Sequence, residues 1–253
     1  MTQTASLGRR AAVECVGTGA LVAVAVGAGV QATALSRDAG VQLLACSLAT
    51  VFGLGVLLAL FGPISGAHLN PVVTLAAWWH GRREGAGPGA REAAAYIPAQ
   101  VAGAIGGAVL ANAMFAQPLV RWSTHDRSAP HLWLGEAVAT AGLVLLAFGL
   151  TRTGRAHLAP VAVACYIGAA YWFTSSTSFA NPALTIGRAF TDTAPGIAPA
   201  SVLPFVAAQL VGLVVGVALV AVLFGRAAPA AAPAAAQDAV VPHAEDQPAA
   251  SGH

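Results

Sequence analysis

Apolar residues fall into six long runs along the chain: about Ala11 to Ala32, Val41 to Phe61, Ala93 to Phe115, His131 to Leu150, His157 to Thr174, and Ser201 to Phe224. A helix needs ~20 mostly apolar residues to cross a bilayer, so each run predicts a membrane span. The first run is not a cleaved leader: it is long, and five more spans follow it in place of a small-residue cleavage site and a soluble body. Two shorter pieces break the pattern. His68 to Trp79 and Phe179 to Phe190 are apolar yet too short to cross, which predicts re-entrant half-helices.

The two halves of the chain carry the same features in the same order. Glu14 in the first span is followed by Asn70-Pro71 and then by Gln100 in Ala99 to Gly103; Glu136 in the fourth span is followed by Asn181-Pro182 and then by Gln209 in Ala208 to Gly212. This pattern is a duplication with loop-length differences, and three spans per copy force the second copy to be inverted. Interrupted segments at matching places in two such halves point to a solute site near the bilayer midplane.

Composition sharpens the picture. The chain is 57% hydrophobic and 9% charged, roughly a third of the charge of an ordinary soluble domain, which excludes a soluble enzyme. All 12 basic residues are arginine and the net charge is +2, so there is no basic stripe for a nucleic acid. Cys15, Cys46 and Cys165 stand alone in apolar stretches; they form neither a disulfide framework nor a zinc site and read as small buried hydrophobes. Positive loops stay in the cytoplasm. Arg9, Arg10, Arg82, Arg83, Arg91, Arg152, Arg155 and Arg226 fall on one side, against Arg37, Arg121, Arg127 and Arg188 on the other, so both termini are expected inside.

The expected organisation is therefore a cytoplasmic N-terminus over residues 1–10 and an all-α membrane domain over 11–225. Its repeats run from about 11 to 115 and from about 131 to 225. The alanine- and proline-rich stretch 226–253, which lacks aromatic residues, reads as a disordered tail.

At each Asn-Pro pair the asparagine is a good N-cap, and proline suits the first helical position because its missing N–H would have no partner there. Two half-helices that meet N-terminus to N-terminus place roughly half a positive charge each at the meeting point, which repels cations and protons. The asparagine amides remain able to donate to a passing neutral oxygen.

The strings Ser65-Gly66-Ala67-His68-Leu69-Asn70-Pro71-Val72 and Ser178-Phe179-Ala180-Asn181-Pro182-Ala183 resemble the signature loops of the aquaporin, or major intrinsic protein, family. Glu14, Gln100, Glu136 and Gln209 also lie where that family has them, and the resemblance covers about residues 10 to 225. It implies six tilted helices and two half-helices as an inverted repeat, a pore in each subunit of a homotetramer, and passive conduction of water or small neutral solutes without a cofactor. It also implies that Glu14 and Glu136 accept hydrogen bonds from the pore loops near His68 and Phe179. An unpaired charge at mid-membrane would cost about 2.5 to 3.5 kcal/mol. His68 reads either as pore-lining or as a satisfied structural group.

Departures from the family pattern bear on the solute. Water-conducting relatives carry an arginine three residues after the second asparagine; here that residue is Leu184, which removes a fixed charge and five donors. Arg188, one turn on, either reaches back towards the mouth or balances the half-helix dipole. Counting back from Asn181 gives Ser178 and Ala169, and from Asn70 gives Thr50, with Phe52 as the alternate. In the first signature Val72 replaces the usual alanine. A filter of Thr50, Ala169, Ser178 and Leu184 resembles the bacterial branch that lacks the filter arginine and passes neutral metalloid acids such as arsenous acid and methylated arsenicals, with glycerol-like polyols in related branches.

Three other readings compete. A water-selective channel would need the mouth closed by Arg188 or Phe52. An ion-coupled transporter would need a coupling-ion site, yet Glu14 and Glu136 both have structural explanations. An intramembrane enzyme would need an assembled nucleophile: Gly62-Pro63-Ile64-Ser65-Gly66 is not a nucleophile elbow, and His125, Asp126 and His131 lack metal-ligand spacing.

Overall fold

The structure is a computed structural model that describes residues 5–84 and 87–225. The expectation of a disordered tail, and Arg226 with it, lies outside the described residues. The described chain is all helical: α1 Leu7–Leu35, α2 Ala39–Ser65, α3 Pro71–Glu84, α4 Ala90–Met114, α5 Pro130–Arg152, α6 Ala159–Phe173, α7 Pro182–Gly187 and α8 Pro199–Phe224, with single 3-10 turns at Ala156–Leu158 and Arg188–Phe190. Six of these helices are long and apolar enough to cross a membrane, with the turn before α6 counted into the fifth span. They coincide with the six apolar runs, and α3 and α7 occupy the two short pieces.

Local chemistry sets the helix ends. Ser6 caps α1 by accepting from the Arg9 N–H at 3.3 Å, and Asp38 caps α2 by accepting from the Val41 N–H at 2.9 Å. α2 stops at Gly66, whose φ of 88° is a left-handed conformation that glycine adopts without a Cβ clash.

Each repeat is built on one close helix pair, α1 against α4 and α5 against α8. In the first, a Cβ at Gly103 would collide with the Cys15 carbonyl oxygen, and one at Gly107 with that of Gly19. In the second, a Cβ at Gly212 would come within 2.5 Å of the Ala137 oxygen and one at Gly216 within 2.8 Å of the Ala141 oxygen. In a bilayer, close backbone approach supplies the dispersion that hydrophobic burial cannot, so these glycines let the two helices of each pair pack at contact distance. The cysteines depart from expectation: Cys165 is exposed on the outer face of α6, and Cys15 and Cys46 are half-buried. Small residues carry the tight contacts in these helices, and a thiol on the lipid side meets no polar penalty.

Candidate pore and its constriction

Two buried carboxylates hold the two re-entrant loops. Glu14 on α1 accepts from Ser65 Oγ at 2.6 Å, the backbone N–H groups of His68 at 2.9 Å and Leu69 at 2.6 Å, and Gln100 Nε2 at 2.8 Å. Glu136 on α5 accepts from the N–H groups of Phe179 and Ala180, both at 2.8 Å, and from Gln209 Nε2 at 2.6 Å. Each glutamine also donates at 2.9 Å to the threonine four residues past its loop's asparagine: Gln100 to Thr74 and Gln209 to Thr185. A charge that is fully buried in a membrane span is tolerable only with donors of this number and quality.

The loops need this support because their backbone is strained. Residues three and one before each asparagine are left-handed without being glycine: Ala67 (φ 45°) and Leu69 (φ 49°) in the first loop, Ser178 (φ 51°) and Ala180 (φ 45°) in the second. Each such residue costs of order 1–3 kcal/mol and persists only where the surroundings fix it. The carboxylates do so by binding the N–H groups of the residue between them, His68 or Phe179, and of the second left-handed residue, Leu69 or Ala180.

The half-helices meet at their N-termini. Asn70 Oδ1 accepts from the Val72 N–H at 2.9 Å, and Asn181 Oδ1 accepts from Ala183 and Leu184 at 3.0 and 3.2 Å. Across the junction Asn70 Nδ2 donates to the Ala180 carbonyl and Asn181 Nδ2 to that of Leu69, both at 2.8 Å. Each amide has two N–H groups, so one per asparagine is left to face the cavity beside them. Pro71, Pro182, Val72 and Ala183 are buried behind this junction.

A cavity of about 470 Å³ runs from the ends of α2 and α5, at Gly62, Pro63 and His157, past His68, Asn70 and Asn181 to Leu184 and Arg188. A second chamber of about 190 Å³ lies beyond it, between the C-terminal end of α1, the start of α2 and the segment after α7. Tyr171 and Arg188 line both spaces, so the partition between the two is made of those side chains. Tyr171 is fixed by a 2.9 Å hydrogen bond between its hydroxyl and Thr50 Oγ1.

The expected filter residues divide. Thr50, Ser178 and Leu184 line the larger cavity, and Ser178 Oγ is buried without a hydrogen-bond partner among the described residues. Ala169 is exposed on the outer face of α6, and Tyr171 stands in the cavity instead. The count back from Asn181 fails because α6 ends at Phe173 and a non-helical segment intervenes, and a two-residue slip on a helix turns a side chain by about 200°. Phe52 is 67% exposed and points away from the pore.

His68 lines the cavity and is also a held group, its Nδ1 3.1 Å from Thr74 Oγ1. The Thr74 hydroxyl donates to the Asn70 carbonyl, so the histidine proton belongs on Nδ1 and Nε2 is left as an acceptor. The matching position in the second loop is Phe179. The Arg188 guanidinium sits 3.6 Å from the ring centroid of Phe179 and that of Arg127 4.9 Å from it. Arg188 Nε donates to the Pro195 carbonyl, and Arg127 Nε donates to that of Gly196 at 3.0 Å.

Arg127 and Cys46, read from the sequence as a loop charge and a small hydrophobe, and Tyr171, which the sequence did not single out, also line the second chamber. Tyr171 could have been found by placing the end of α6 before counting, whereas Arg127 comes from an aperiodic connection that carries no signal of where it folds.

The profile of the family described as "Major intrinsic protein" matches residues 1–178. The chain is 45% identical over 227 residues to "Aquaglyceroporin AqpS" of Rhizobium meliloti (strain 1021), covering 90% of this chain and 95% of that one. It is 31% identical over 213 residues to "Propanediol uptake facilitator PduF" of Citrobacter freundii, covering 72% and 76%. Among solved structures, the X-ray structure of the aquaglyceroporin from Plasmodium falciparum superposes with a TM-score of 0.58 at 20% identity over 87% of this chain and 94% of that one, a likeness of fold.

Proposed function

The chain belongs to the major intrinsic protein family and is a multi-pass membrane channel for small neutral solutes, and from that premise we propose that its cargo is wider than water: glycerol-like polyols and neutral metalloid acids such as arsenous acid and methylated arsenicals. The observation that carries this is Leu184. At the position three residues past the second asparagine an apolar side chain lines the cavity, while hydroxyls of Thr50, Tyr171 and Ser178 lie along the same passage. A solute with several hydroxyls and no net charge matches a lining of hydroxyls, carbonyls and apolar walls. The relatives named as an aquaglyceroporin and a propanediol facilitator support the same class.

The pore residues of this reading are Thr50, Tyr171, Ser178, Leu184 and Arg188 at the constriction, Asn70 and Asn181 at the midpoint, and His68 towards the inner mouth. Transport is passive and no bond is made or broken. We further propose a homotetramer in a bacterial inner membrane with both termini in the cytoplasm. The arginine count, eight on the inner side against four on the outer, supports this orientation.

Stopped-flow light scattering on proteoliposomes, comparing water, glycerol and arsenous acid against empty liposomes, tests the reading. Rapid entry of glycerol or arsenous acid is expected. Rapid water with no solute entry would overturn it and assign the mouth to a water-selective closure by Arg188. Solute uptake abolished by collapsing an ion gradient would favour a coupled transporter.

A further inference from the structure

The outer chamber contains more positive charge than a passage for neutral solutes requires. Arg127 and Arg188 both line it, with Thr33, Gln42 and Thr177 as further polar groups, and no carboxylate is among its lining residues. Each guanidinium uses Nε on a backbone carbonyl and stacks on Phe179, which fixes the fork in place. Among the described residues no acceptor is found for the terminal nitrogens of either arginine, and neither arginine is in an ion pair. Glu136 lies beyond Phe179, but its oxygens are taken by Phe179 N–H, Ala180 N–H and Gln209. Asp126, beside Arg127 in sequence, accepts instead from Ser201 Oγ at 2.9 Å and from the Ser128 N–H at 3.0 Å.

We propose that this chamber is a binding site for a small monovalent oxyanion, a carboxylate or the conjugate base of another weak oxyacid, held by the terminal nitrogens of Arg127 and Arg188. The chemistry is specific. Two fixed guanidinium groups offer paired N–H donors to paired oxygens, and a volume of 190 Å³, about that of six waters, admits an anion of a few heavy atoms. Because Arg188 also forms the partition, a seated anion obstructs the route of a neutral solute entering from that side. The bound anion itself does not proceed, since past the arginines the passage is lined largely by apolar side chains such as Leu184, Val73 and Leu21, where a charge has lost its water and its partners. The obstruction rests on the channel reading, whereas the binding does not.

Lactate and propane-1,2-diol share a carbon skeleton and differ in the carboxylate, so they make a matched pair of probes. Tracer glycerol flux through proteoliposomes is measured at pH 7.5 with increasing sodium lactate, propane-1,2-diol or sodium chloride. Lactate is expected to inhibit saturably and beyond chloride at equal ionic strength. Arg127→Gln is expected to raise the half-inhibiting concentration roughly tenfold, while Arg127→Lys, which keeps the charge but loses the fork, falls between Arg127→Gln and wild type. Each flux is normalised to the same variant without lactate. Inhibition no stronger than chloride's, or undiminished in Arg127→Gln, overturns the proposal. Should Arg127→Gln fail to fold, the wild-type protein decides alone: lactate must raise its thermal midpoint in detergent where propane-1,2-diol and chloride do not, and no such rise refutes the site. Absence of glycerol flux without lactate would count against the channel reading, leaving the midpoint measurement to judge the anion site.

Discussion

The two re-entrant loops share one scaffold and put it to different uses. In both, a buried glutamate binds the loop N–H groups, a glutamine joins that glutamate to a threonine, and left-handed residues stand three and one before the asparagine. The position two before the asparagine differs. His68 turns an edge to Tyr96 at 5.5 Å and offers a ring nitrogen to the cavity, whereas Phe179 turns an edge to Phe205 at 5.3 Å and carries two arginines. The half-helices differ too. α3 runs 14 residues, while α7 runs six and is followed by a 3-10 turn strapped to the connection between α4 and α5. The lesson is that the duplicated parts fix the path, and the unduplicated surroundings decide what each end of the path recognises.

Removing a glutamate breaks the shared part and has the largest expected effect. Glu136→Leu leaves the N–H groups of Phe179 and Ala180 and one N–H of the Gln209 amide, whose other donates to Thr185, buried without acceptors, at about 1–3 kcal/mol each. Glu14→Leu strands four donors, so it is expected to be at least as severe. Both variants should give little monodisperse protein, and thermal unfolding in detergent ranks whatever is recovered. Midpoints near wild type would mean that the loops hold themselves.

Leu184→Arg tests the unduplicated part and is expected to spare the fold. Its counterpart in the first loop is Val73, also three past the asparagine and also lining the cavity, so an apolar residue there is structurally acceptable in both halves. A guanidinium at 184 restores a charged filter: glycerol flux should fall roughly tenfold or more while water flux changes by less than about threefold. Equal loss of both fluxes would place the selective step elsewhere, at Tyr171 and Arg188.

Most of the fold was legible in the sequence because a bilayer imposes its thickness on every span, and α1, α2, α4, α5, α6 and α8 each begin and end within about four residues of an apolar run. The half-helices were legible from Asn-Pro chemistry, which is local. The constriction was legible only in part. Thr50 lies within one continuous helix, so counting reached it, whereas Ala169 lies beyond the break at Thr174 and the count landed on the lipid face. Arg127 was counted as a loop charge, and its lodging against Phe179, 52 positions further along, depends on how the outer strap folds.

That strap supplies the smallest and most condition-dependent effect. Asp192 accepts from the Thr124 N–H at 2.8 Å and its hydroxyl at 2.9 Å, and pairs with Arg121 at 3.2 Å. The Thr124 backbone bond first, then its side chain and Arg121, hold the carboxyl below its ordinary range. Asp126 is lowered likewise, chiefly by hydrogen bonds from Ser128 and Ser201. Because these groups are more acidic when folded, the stability they contribute is complete above the ordinary aspartate pKa of about 3.9 and is lost as pH falls through the folded value. Asp126 is exposed, and Asp192, though largely covered, pairs with an exposed Arg121, which keeps the contribution small. Asp192→Asn should therefore lower the thermal midpoint slightly at pH 6, with the gap to wild type closing as pH falls below that range. A gap that stays constant down to pH 3 would mean that the strap is held by its backbone bonds, such as Ser123 N–H to the Ala189 carbonyl at 3.0 Å, and that the outer loop is fastened, like the inner one, without a titrating group on its surface.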